Sequence, residues 1–291
     1  MTNILKLGIP KGSLEGATID LFDQAGWKIS TRSRNYFPSI NDDEITCSLV
    51  RSQEMGPYVA GGTLDCGLTG IDWVMESEAD VEVIRPLVYS KSSDQGARWV
   101  LVVTQDSPIK TVEDLQGKVI ATELTGFTSR YLRARNIEAD VQFSWGATEA
   151  KVVEGLADAA VEITETGSTI RAHGLRIVCD LLHTHTVFIA NKEALKNPAK
   201  KAKIDQIALM LKAALDARGK VLLKLDVPKK HLDGVLDILP SIHAPTVAHL
   251  SDPEWVAVET VLDRGAVRDL VPQLKGAGAE GILELEIRKV C

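Results

Sequence analysis

The densest chemistry in the sequence lies in residues 157–175, ADAAVEITETGSTIRAHGL. An apolar run there carries two carboxylates, Glu162 and Glu165, and leads into Thr166-Gly167-Ser168-Thr169 before a helical pattern begins. Gly167 permits a tight turn, and the N–H groups that follow point outward at a helix start with three hydroxyls beside them. Unsatisfied N–H groups and the positive end of the helix dipole favour an anion, so the pattern suits a phosphate monoester. The carboxylates just before it suit ribose hydroxyls or a Mg²⁺ shell of carboxylate and water. An ordinary strand–turn–helix capped by Thr would use the same residue types.

Three more turns share this form. GIPKGSL places Lys11 between a strand pattern and a helix pattern, without the G-x-x-x-x-G-K-[ST] spacing of a Walker loop. Gly70-Ile71-Asp72 follows a strand, with Asp72 either a helix cap or an acceptor facing a cleft. Glu123-Leu124-Thr125-Gly126 follows another. Open α/β sheets gather ligands at such turns, at the carboxyl ends of their strands. His183 and His185 share one face of a possible strand near Cys179, short of the three or four ligands that zinc requires. No G-x-S-x-G motif or Cys/His pair points to a nucleophilic enzyme.

These turns need a scaffold, and the 291-residue chain is long enough for two or three domains. Short apolar runs alternate with helical patterns in two series, one from Ile4 and one from about Ala97. That alternation predicts two α/β lobes with largely parallel sheets and a cleft between them. From Lys192 the pattern becomes a long helix with one Asn-Pro interruption, then a βαββαβ order of ferredoxin-like type. Lys196, Lys200, Lys201 and Lys203 read as a solvated helix face. With 33 Lys+Arg against 40 Asp+Glu, the net charge of -7 argues against a general nucleic-acid binder. Cys47, Cys66 and Cys179 sit in apolar runs as reduced thiols, and Cys291 ends the chain. No run reaches the ~18 apolar residues of a spanning helix, and the N-terminal apolar stretch is too short for a signal segment. A soluble, cytoplasmic protein without membrane contact is expected.

LGIPKGSL, LDCGLTGIDWV, IATELTGFTSRYL, the long stretch around TETGST, and LPSIHAPTVAHL…WVAVETV…GAEGILELEI span nearly the whole chain. Together they resemble the ATP phosphoribosyltransferase family in its long form, which opens histidine biosynthesis. The resemblance implies two periplasmic-binding-protein-like lobes of type II and a C-terminal ACT-like regulatory domain. Lobe I would take residues 1–95 with 182–212, lobe II residues 96–181, and the regulatory domain residues 213–291. It implies Mg²⁺-dependent transfer of phosphoribosyl from phosphoribosyl pyrophosphate to adenine N1 of ATP, in a homo-oligomer between dimer and hexamer. Thr166, Gly167, Ser168 and Thr169 would hold the 5′-phosphate, and Glu162 and Glu165 the ribose. Lys11 and Arg51 would meet pyrophosphate or triphosphate charge, and Asp72, Leu124 and Thr125 would border the adenine. Histidine would inhibit from Asp226, Ile242, Ala244, Thr246 and Gly281. Glu162 stands where many relatives carry Asp, and the histidines near residue 184 replace small polar and acidic residues.

Overall fold

Continuous apolar runs make strands buried on both faces, and the turns between them set where each strand delivers its last side chain. The computed structural model describes residues 3–31, 36–89, 96–242 and 244–291. The first series gives β1 (Leu5–Lys11), α1 (Glu15–Ala25), β2 (Ile29–Ser30), β3 (Ser39–Ile40), β4 (Ile45–Arg51), α2 (Ser52–Ala60), β5 (Cys66–Gly70), α3 (Ile71–Ser77) and β6 (Glu82–Leu87). The second gives β7 (Ala97–Thr104), β8 (Val119–Thr122), α4 (Thr125–Arg133), β9 (Asp140–Phe143), α5 (Thr148–Val153), β10 (Ala159–Thr164), α6 (Ser168–Ala172) and β11 (Leu175–Thr184). Then β12 (Thr186–Ala190) leads to α7 (Pro198–Asp216).

Each lobe is built on one five-stranded sheet, ordered β4-β1-β5-β12-β6 in lobe I and β11-β7-β10-β8-β9 in lobe II. The sheets are mixed rather than largely parallel. β12 runs antiparallel to both β5 and β6, and β7 runs antiparallel to both β10 and β11. The cause is the path of the chain, which leaves lobe I after β6 and returns to it at β12, so the crossing strands oppose their neighbours. β11 stays paired with β7 as far as Thr184, opposite Ala97. Residues 182–184 therefore belong to the sheet of lobe II, and lobe I resumes at Thr186 rather than at 182.

Helix α7 starts on Pro198, whose missing N–H costs nothing at a first helical position. Asn197 caps it, its Oδ1 accepting from the N–H groups of Ala199 at 3.0 Å and Lys200 at 3.3 Å. The expected solvated lysine face is only half solvated. Lys200 lies 2.7 Å from Asp65, just before β5, and Lys203 lies 3.1 Å from Asp42, which also accepts from the Trp27 indole at 3.0 Å. These half-buried pairs tie the start of α7 to lobe I.

A second compact unit comprises Leu209–Cys291, from within α7 onward, together with Gln24–Gly26. It contains β13 (Lys220–Pro228), α8 (Leu232–Leu236), β14 (Thr246–His249), β15 (Trp255–Asp263), α9 (Arg264–Gly276) and β16 (Glu280–Glu286). The antiparallel order β14-β15-β13-β16 is the ferredoxin-like plan. Strict alternation of burial along β13 puts Val221, Leu223, Leu225 and Val227 into the core beneath α8 and α9. Among the described residues, no helix is long and apolar enough to cross a membrane.

Candidate active site

The turns singled out in the sequence meet between the two lobes. A cavity of about 630 Å³ is lined from lobe I by Lys11, Arg51 and Asp72, and from lobe II by Trp99, Glu123 and Glu165. Beside it a cavity of about 450 Å³ lies over Glu149, Glu162, Thr166, Ser168 and Thr169. Ala97, Ile163 and Glu165 line both. Parallel register explains the cationic wall: Lys11 and Arg51 are partners at the ends of β1 and β4. Lys11 Nζ stands 3.8 Å from the Tyr36 ring centroid, and the Arg51 guanidinium 5.4 Å from that of Trp145 in lobe II.

The turn after β10 is held by its own side chains. Gly167 sits at φ 73°, and an added Cβ would lie 3.0 Å from Arg171 Nη1 and 3.1 Å from Ile177 Cδ1. Its N–H donates to Thr164 Oγ1 at 2.8 Å, which locks the turn. Thr166 and Ser168 hydroxyls pair at 3.0 Å, and Arg171 donates to the Thr166 carbonyl at 3.1 Å. Thr166, Ser168 and Thr169 remain exposed to the smaller cavity.

Glu162 rises from the middle of β10, opposite Val100 of β7. Burial pushes its carboxyl up to about 7; the Thr148 hydroxyl opposes this, while Glu149 and Glu123 add to it. Glu123 is also raised, by burial first, with Asp72 contributing. Four carboxylates of lobe II, Glu123, Glu149, Glu162 and Glu165, thus border cavities whose cations, Lys11 and Arg51, lie on the opposite lobe. That separation attracts a cation, or a ligand carrying one, toward lobe II.

Asp72 lies 2% exposed, with both oxygens engaged: Oδ2 accepts from the Trp99 indole at 2.7 Å and Oδ1 from the Trp73 N–H at 3.0 Å. Burial raises its pKa, and these donors with Thr184 counter the rise. A Cβ at Gly70 would fall 2.0 Å from Oδ1, so only glycine leaves room for this carboxylate. Trp73 meets Trp99 edge to face at 6.2 Å. Leu124 and Thr125 require a correction. The Leu124 side chain is fully buried in the core of lobe II, and the start of α4 is taken by Glu76, whose Oε1 accepts from Gly126 N–H at 2.8 Å and stands 3.4 Å from Thr125 Oγ1. Neither lines the larger cavity, whose apolar wall is Trp73, Trp99 and Tyr89.

Those aromatics and Glu76 were missed because nothing in their spacing separates them from core or surface residues. The two histidines diverge at the crossing: His183 lies 3.7 Å from Asp180, whereas His185 lines the larger cavity. In the C-terminal unit, Asp226 and Gly281 come together, with Asp226 Oδ2 3.1 Å from where a Gly281 Cβ would stand. Register puts Thr246 opposite Glu259, which is opposite Lys224, on the sheet face that Asp226 also occupies, away from the helices. Ile242 and Ala244 lie exposed in the segment before β14.

Fold and cleft together define a two-lobed α/β protein with one five-stranded mixed sheet per lobe, a hydroxyl-bearing loop on one lobe and cations on the other. The family model for ATP phosphoribosyltransferase matches residues 51–213, and the model for the HisG C-terminal domain matches 217–289. An ATP phosphoribosyltransferase from Desulfatibacillum aliphaticivorans is 60% identical over 290 residues, covering 100% of this chain and 99% of that protein. One from Solidesulfovibrio magneticus is 59% identical over 288 residues, covering 99% and 98%. Among solved structures, a chain of the ATP phosphoribosyl transferase (HisG:HisZ) complex from Thermotoga maritima superposes with TM-score 0.63 at 25% identity, covering 73% of this chain and 99% of that one. The chain belongs to the ATP phosphoribosyltransferase family, a family of pentosyltransferases.

Proposed function

We propose that the protein transfers phosphoribosyl from phosphoribosyl pyrophosphate to adenine N1 of ATP, releasing pyrophosphate, as the first step of histidine biosynthesis. The observation that carries this reading is the Thr166–Thr169 loop opening onto the same cleft as Lys11 and Arg51. The smaller cavity takes the 5′-phosphate on the loop, with the ribose hydroxyls on Glu162 and Glu165. Glu165 stands where the two cavities join, which puts ribose C1′ at the entrance to the larger one. There Trp73, Trp99 and Tyr89 offer a surface for adenine, while Lys11 and Arg51 face phosphate charge. Asp72 shapes that wall through Trp99.

Adenine N1 carries a lone pair, so a strong base is unnecessary and orientation supplies much of the barrier reduction. N1 attacks C1′ as the bond to pyrophosphate breaks, inverting the carbon. The growing negative charge on the leaving group falls toward Lys11 and Arg51, cations that line the same cavity. Mg²⁺ fits this donor set. Glu162 and Glu165 supply carboxylates, and no group of three or more His, Cys, Asp or Glu forms a protein cage among the described residues. The other positions then fall to substrate oxygens and water, the usual habit of this ion. Bound there, it would neutralise charge on the pyrophosphate.

Histidine acts as feedback inhibitor at the sheet face that carries Asp226, Gly281 and Thr246, with Ile242 and Ala244 beside β14. A homo-oligomer, dimer to hexamer, working in the cytoplasm completes the reading. The free state of all four cysteines is compatible with that compartment. Mixing ATP, phosphoribosyl pyrophosphate and Mg²⁺ with the protein should raise the absorbance of the N1 adduct, and chelating the metal should stop it. Saturating binding without turnover would instead support a two-lobed sensing protein.

A further inference from the structure

Two helices that face each other across the lobes exchange caps. α4 begins without a side-chain cap of its own, since its N-cap position is the buried Leu124. Glu76, in the last turn of α3, fills that place from lobe I: Oε1 accepts from Gly126 N–H at 2.8 Å and Oε2 from Phe127 N–H at 2.7 Å. Arg130 of α4 returns the exchange. Its guanidinium donates to the Met75 carbonyl, to the Glu76 carbonyl at 3.3 Å and to Glu78 at 3.1 Å. A carboxylate therefore meets a helix N-terminus and a guanidinium meets a helix C-terminus, each the favourable sign for the dipole. Gly126 keeps the approach close, for a Cβ there would lie 3.0 Å from Arg130 Nη1 and 3.1 Å from the Glu76 carbonyl oxygen. The same short helix α3 carries Asp72, bonded to Trp99, and Ile71, whose N–H donates to the His185 carbonyl at 3.0 Å. One element of lobe I is thus held by lobe II at both ends, beside the cleft.

We propose that Glu76 and Arg130 are positioning residues for the transfer: their exchanged caps set the lobe separation that the two substrates span. The effect on turnover rests on the reading above, that phosphoribosyl pyrophosphate and ATP occupy the cleft. The latch itself does not. Charge-assisted bonds to helix ends hold Lys11 and Arg51 at a fixed distance from the Thr166–Thr169 loop before either substrate arrives. Without them the competent separation becomes one of several, and each ligand that spans both lobes must first select it. A ligand held by lobe II alone makes no such demand.

The test pairs an interlobe distance with kinetics. Spin labels at Glu54→Cys and Glu154→Cys, with Cys179 and Cys291 changed to Ser, report the separation in full-length protein diluted into unlabelled chains. The unsubstituted latch should give one narrow distribution without ligand. Glu76→Ala and Arg130→Met should each broaden it toward longer distances, and both substrates together should narrow it again. In steady-state assays the same variants should raise KM for both substrates about tenfold while kcat stays within about threefold. Ribose 5-phosphate, which meets only the loop of lobe II, should bind within about twofold of wild type. Arg130→Lys, which keeps the charge without the fork, should fall between. Distributions identical to wild type in both Glu76→Ala and Arg130→Met would overturn the proposal, whatever reaction the protein catalyses. Should Glu76→Ala fail to fold, Arg130→Met alone decides, its side chain being partly exposed. An altered distance with unaltered KM would likewise refute the positioning role.

Discussion

Replacing Glu162 by Gln should make the protein more stable at alkaline pH and a worse enzyme. Burial lifts this carboxyl from an ordinary 4.5 to about 7. The folded state therefore holds a proton that the unfolded chain releases between those values, and wild-type stability falls as pH rises through that window. At 1.36 kcal/mol per pH unit the full penalty is about 3 kcal/mol above pH 7. A smaller part of it is already present at pH 5, so the stability gap between variant and wild type should widen by about 2–3 kcal/mol from pH 5 to pH 8. Glutamine keeps the shape and an acceptor for the Thr148 hydroxyl but has no charge to bury. Urea unfolding at the two pH values measures the gap. Wild-type kcat/KM for phosphoribosyl pyrophosphate should rise with pH through about 7, because ionised Glu162 is the better acceptor for ribose hydroxyls and the better Mg²⁺ ligand. Glu162→Gln should be at least about tenfold lower and flat over that range, the equivalent of ~1.4 kcal/mol or more. A stability gap that does not change with pH would refute the assignment of burial as the cause.

Gly167→Ala forces an alanine to φ 73° against Arg171 and Ile177, which should cost about 1–2 kcal/mol and weaken use of phosphoribosyl pyrophosphate more than of ATP. Thr169→Ala removes a hydroxyl from the loop; loss of a hydrogen bond to a dianion should cost about 1.5–3 kcal/mol in kcat/KM, read by steady-state kinetics, with thermal unfolding near wild type. Asp226→Ala should raise the histidine concentration needed for inhibition about tenfold or more and leave KM values without histidine nearly unchanged. Inhibition that persists unaltered, or simple competition with ATP, would remove the regulatory role from that sheet face.

Elements whose signals are local were legible in the sequence. α3 begins where Gly70-Ile71-Asp72 places it, and the C-terminal unit follows the βαββαβ order. The loop after β10 could be read because glycine, hydroxyls and carboxylates are all needed within a few residues. Sheet direction was harder. Antiparallel insertion of β12 depends on a crossing made more than a hundred residues after β5, and no local pattern records it. Side-chain use was least legible. Leu124 looked like part of a ligand turn, but apolar burial claimed it for the core, and Glu76 from the other lobe took the helix start beside it. Lys200 and Lys203 looked solvated because their partners, Asp65 and Asp42, lie over a hundred residues away. In each case a long-range partner overrode a local propensity.

The return of the chain at β12 also orders the birth of the molecule. All five strands of lobe II lie in the continuous stretch from Ala97 to Thr184, so that sheet can close as soon as this stretch has left the ribosome. Lobe I cannot. β5 and β6 have no strand between them until residues 186–190 arrive, and β12 then pairs with both. Two open strand edges wait through the synthesis of an entire second sheet, and exposed edges of this kind invite the wrong partner. His185 alone separates the last residue of the early sheet from the first residue of the late one. Closure of lobe I therefore follows lobe II, and the cleft comes into being only with that last strand.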